Sequence, residues 1–114
     1  MTRSQDSSLP PDSASVSRVV GLVDYQDDGI VSRQILKTAG GNVTVFAFTE
    51  GQELSEHTSP FDALVQVLEG EATISLAGRP HSVQAGEMLL LPAHVPHAVA
   101  AVTRFKMLLT LVRS

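Results

Sequence analysis

From Arg18 onward, short apolar runs alternate with turn signals, and the spacing is that of strands. Arg18 to Asp24 and Ile30 to Lys37 read as strands separated by Asp27-Asp28-Gly29. Ala39-Gly40-Gly41-Asn42 is a turn, and Val43 to Phe48 is a strand of β-branched and aromatic residues. Leu64 to Leu68 follows, closed by Glu69-Gly70-Glu71. Ala72 to Leu76 and Pro80 to Val83 form a hairpin-like pair about Ala77-Gly78-Arg79. Glu87 to Leu91, His97 to Val102 and Phe105 to Val112 complete the set. Gly and Pro interrupt the chain too often for a helical fold, so the pattern predicts an all-β sandwich or barrel.

Some of these strands are apolar at successive positions, as in Met88-Leu89-Leu90-Leu91 and Met107-Leu108-Leu109. Strands of that kind are covered on both faces. A small barrel cannot cover its own outside, so a homodimer burying one sheet is expected. Residues 1–15 are rich in Ser, Pro and Asp and read as a flexible N-terminal arm; 16–114 read as the barrel domain.

Composition narrows the function. At 114 residues with 43% hydrophobic and 18% charged positions, the chain suits one packed core. The net charge of -4 argues against nucleic-acid partners, which need a surplus of Lys and Arg. With no Cys there is neither a disulfide framework nor a thiolate site. No apolar run suits a bilayer and no secretory pattern opens the chain, so a cytoplasmic protein without membrane partners is expected. Phosphate loops and nucleophile elbows are missing too: Ser59 precedes Pro60 and lacks flanking glycines.

Candidate chemistry rests on four histidines, His57, His81, His94 and His97. His57 precedes one strand and His97 starts another, so the two are placed to converge at one end of a barrel. Imidazole ligates Zn, Fe, Ni and Cu, but two ligands hold such ions poorly. His81 falls in the hairpin and receives no role.

Two segments resemble the cupin family. Gly51-x5-His57-x-Ser59-x3-Ala63-x6-Gly70 is similar to the first cupin motif, G-x5-H-x-H-x3,4-E-x6-G. Gly86-x5-Pro92-x-His94-x2-His97-x3-Ala101 is similar to the second, G-x5-P-x-G-x2-H-x3-N. The resemblance implies a small single-domain cupin of the RmlC-like type, a jelly-roll barrel. It also implies that His57 and His97 occupy metal-ligand positions. The second His and the Glu of the family pattern are replaced by Ser59 and Ala63, which leaves a degenerate metal site. Asp62 and Gln66 lie nearby, but one-residue parity turns them to the other face of a strand. His94 stands where the family has Gly. It reads first as a turn residue with φ > 0 and second as a replacement third ligand.

Ser59, Phe46, Phe48, Met88, Phe105 and Met107 are candidate pocket residues, with core packing as the alternative for each apolar one. Two functions stay open. One is a binding module that takes a small metabolite in the barrel, its imidazoles hydrogen-bonding the ligand or moving protons without metal. The other is a metal-dependent enzyme (dioxygenase, isomerase, epimerase or lyase) using one divalent Fe, Mn, Ni or Zn. The fold alone does not choose between them.

Overall fold

The computed structural model describes residues 14–113. The expected arm lies almost wholly outside the described residues. Among the described residues a 3-10 turn, Val19–Leu22, is followed by nine strands. These are β1 (Ile30–Thr38), β2 (Gly41–Phe48), β3 (Glu53–His57), β4 (Asp62–Glu69) and β5 (Glu71–Leu76). Then come β6 (Arg79–Gln84), β7 (Met88–Leu91), β8 (His97–Ala101) and β9 (Phe105–Val112). They form two antiparallel sheets, one ordered β1-β2-β9-β4-β7 and the other β3-β8-β5-β6. This is the expected jelly-roll barrel.

Alternation decides which residues fill it. Phe48, Ala63, Val65, Val67, Leu91, Phe105 and Met107 face inward from the first sheet, and Ala72, Ile74, Val83, Val99 and Ala101 from the second. Phe48 and Phe105 are fully buried and stack with ring centroids 4.6 Å apart. Burial of each ring contributes about 2–3 kcal/mol. Gly70 joins β4 to β5 with φ 77°, where a Cβ would run into the Arg104 carbonyl, so no other residue fits.

One expectation is corrected and one strand is added. Arg18 to Asp24 is not a strand. Its 3-10 turn places Val19 and Leu22, three residues apart, on one face, packed with Val23 and Tyr25 over Val45 and Ala47. The segment thus covers part of the outer face of the larger sheet. In addition, β3 carries no strand signal in the sequence. It is an edge strand, polar at every position but Leu54, and so lacks the apolar alternation that marks the others.

Candidate functional site

The strand ends bring two imidazoles together. His57, the last residue of β3, is the register partner of His97, the first of β8. Their ring centroids are 4.3 Å apart, edge to face. His97 shares the inner face of β8 with Val99 and Ala101 and is 8% exposed, whereas His57 is exposed. The pair therefore runs from the barrel interior to its surface.

An irregularity in β3 aims His57. Leu54 pairs with Val99 and His57 with His97, so three residue steps on β3 match two on β8. In a regular ladder Glu56 would oppose His97. The extra residue restores inward parity to His57, as bulges beside functional sites do.

Each ring is held by its own backbone. His57 Nδ1 lies 2.7 Å from the Ser55 carbonyl oxygen, and His97 Nδ1 lies 3.1 Å from that of Val95. A carbonyl oxygen only accepts, so Nδ1 donates in both rings. Nε2 is then the nitrogen left in each ring to accept a proton or meet a ligand.

The other sequence candidates separate. Ser59 is half-buried, and its oxygens hold the loop: Oγ accepts from the Phe61 amide at 3.1 Å and the carbonyl from the His94 amide at 2.8 Å. Ala63 sits on the inner face of β4 and offers no donor atom. Asp62 faces the other way, its Oδ1 accepting from the Ala93 amide at 2.8 Å. His94 is exposed with φ 68°, the turn geometry expected of it. It forms no third ligand: among the described residues no group of three His, Cys, Asp or Glu is placed to hold a metal. Two imidazoles alone fall short of the three protein ligands of catalytic zinc sites, so the residues present do not fit a resident metal of that kind.

Phe48, Phe105 and Met107 line the barrel interior and Phe46 packs against them, partly buried. Met88 does not belong there. It is 55% exposed on the outer side of β7, because Leu89 and Leu91 take the inward parity.

A second polar cluster went unread in the sequence. Lys106 is 7% exposed on the outer side of β9, and its Nζ donates to the Val20 carbonyl at 2.6 Å. Lys106 Nζ lies 5.0 Å from the Tyr25 ring centroid, and the Arg104 guanidinium lies 4.9 Å from it. The Tyr25 hydroxyl donates to Glu69, and burial together with that carboxylate holds the hydroxyl protonated well above its ordinary range. The cluster clamps the 3-10 segment onto the sheet. The isolated Lys between Phe105 and Met107 was its only signal in the sequence.

The family described as cupin domain matches residues 44–112. A conserved protein of unknown function from Streptococcus pyogenes is 36% identical, with a TM-score of 0.84 and 89% of each chain covered. A cupin 2 conserved barrel domain protein from Leptotrichia buccalis is 42% identical with a TM-score of 0.80. That match covers 82% of this chain but 46% of the other. A salicylate 1,2-dioxygenase mutant from Pseudoaminobacter salicylatoxidans is 17% identical, covers 75% of this chain and 27% of that one, and shares the fold with a TM-score of 0.70. No curated protein matches.

Proposed function

Since the chain belongs to the cupin family, we propose that it binds a small metabolite at the His57/His97 end of its barrel without a resident metal. The imidazole pair carries this reading. Both rings are oriented through Nδ1, and both keep Nε2 for a ligand hydroxyl, carboxyl or amide. A donor set of two, with Ser59 bound into its loop and Ala63 inert, supports hydrogen bonding and proton transfer better than ion binding.

The chain also pairs with a second copy of itself. One row runs across all five strands of the larger sheet on its outer face: Leu36, Val43, Thr110, Leu64 and Leu90. Leu90 is 61% exposed and Met88 stands beside it. The 3-10 segment covers only the part around Val45 and Ala47, and the same row on another protomer would cover the rest.

Elemental analysis of untagged protein and a thermal-shift panel of small metabolites test the site, each repeated on His57→Ala and His97→Ala. Expected are wild-type protein without near-stoichiometric metal and stabilising metabolites whose effect vanishes in both variants. Near-stoichiometric metal that disappears in His57→Ala would overturn the metal-free reading. Variants that no longer fold would make the histidines structural.

A further inference from the structure

A cleft of about 250 Å³ opens where β1 turns into β2 and β9 ends. Lys37, Thr38, Asn42, Phe61 and Arg113 supply its side chains, and the chain turns through it at Gly41. Among the described residues no acidic one lines it, although the protein as a whole carries a charge of -4. Two cations therefore face one small space on an otherwise acidic molecule.

The cleft is held by its own backbone. The Arg113 amide donates to the Gly40 carbonyl at 2.8 Å, tying the end of β9 to the hairpin. The Gly40 amide donates to Thr38 Oγ1 at 3.1 Å, which fixes the turn. The Arg113 guanidinium lies 5.8 Å from the centroid of the Phe61 ring. Asp62 is the acid nearest in register, as the partner of Val112, but its Oδ1 is turned to Ala93 after β7, across the opposite side of β4. Arg113 is thus left without that carboxylate.

We propose that this cleft is an anion subsite that takes the carboxylate of an organic ligand with a flat apolar body. An Arg fork matches a carboxylate in two parallel hydrogen bonds, and Lys37 adds a second charge. Phe61 gives the carbon skeleton an apolar surface. The subsite stands at the imidazole end of the barrel, because only three residues separate His57, at the end of β3, from Phe61, just before β4. Four residue steps span at most about 14 Å. The assignment rests on the reading that this end of the barrel receives a small molecule, and it names that molecule's class.

Amide-resolved NMR titration of the full chain with benzoate, benzamide and inorganic phosphate, at constant ionic strength, tests it. Benzoate is expected to shift the amides of Thr38, Gly41, Asn42 and Phe61 saturably, benzamide to leave them unmoved, and phosphate to bind more weakly. Arg113→Gln and Lys37→Gln, both at exposed strand ends, are expected to keep the fold and weaken benzoate, Arg113→Gln by about tenfold. Equal binding of benzoate and benzamide, shifts elsewhere, or unchanged affinity in both variants would overturn the subsite. Phosphate binding tighter than benzoate would overturn the organic-carboxylate class. Benzoate affinity retained in a folded His57→Ala/His97→Ala protein supports the subsite even where the metabolite reading fails, and its loss there would place the anion on the imidazoles instead.

Discussion

Restoring the two missing donors is a demanding test of the site geometry. In Ser59→His/Ala63→Glu, the new carboxyl enters the inner face of β4, where Ala63 is 5% exposed between its register partners Leu91 and Leu111. Burying an unpaired carboxyl there costs about 2 kcal/mol. Losing the Ser59 Oγ acceptor of the Phe61 amide costs about 1 kcal/mol more. At about 4 °C per kcal/mol, the metal-free double variant melts about 12 °C below wild type. A divalent ion at a hundred times its dissociation constant returns about 2.7 kcal/mol, or about 11 °C. Burial raises the new carboxyl's pKa, so the unfolded chain ionises first as pH rises. The deficit therefore grows as pH rises above about 4.3 and levels off past the raised folded value. The assay is thermal melting with and without Ni or Mn, beside wild type and both single variants. A folded double variant whose melting temperature ignores metal would refute the placement of positions 59 and 63 beside His57 and His97 that the cupin motif implies.

Two further outcomes concern the outer face. Tyr25 is the only tyrosine and there is no tryptophan, so near-ultraviolet absorbance reports its ionisation alone. Its midpoint should fall well above the ordinary value of 10.0, and a midpoint near that value in folded protein would remove the clamp. Because the folded pKa is raised, the hydroxyl's contribution to stability is complete below pH 10.0 and is lost as pH rises toward the folded value. Leu90→Glu should turn a dimer into a monomer in sedimentation equilibrium with its melting profile otherwise intact, and a wild-type monomer at micromolar concentration would refute the pairing.

The apolar strands were legible because alternation and β-branched runs are written directly into β2, β4, β5 and β9. The glycines of both motifs were legible for a related reason: Gly70 is required by backbone approach, and such requirements leave residue-specific marks. His57 and His97 were found through motif spacing. What brings them together was not readable: β3 is too polar to announce itself, and its extra residue has no composition. Met88 was misplaced because a run of four apolar residues carries no parity, and only the Leu89 and Leu91 contacts supply it. Lys37, Phe61 and Arg113 are remote in sequence, and their meeting depends on how strand ends gather at one end of the barrel.

The irregularity in β3 has a consequence for how such a site changes over generations. What stands opposite His97 is decided by how many residues separate Leu54 from that point, as well as by which residues they are. With the bulge smoothed into a regular ladder and the length unchanged, the same strand would present the Glu56 carboxylate there, exchanging a base that accepts hydrogen bonds for an anion. No codon for a new side chain is required, only a one-residue slip in a five-residue edge strand bound on a single side. Changes of register within β3, between Leu54 and His57, are therefore a route to new chemistry in this barrel, alongside point substitution.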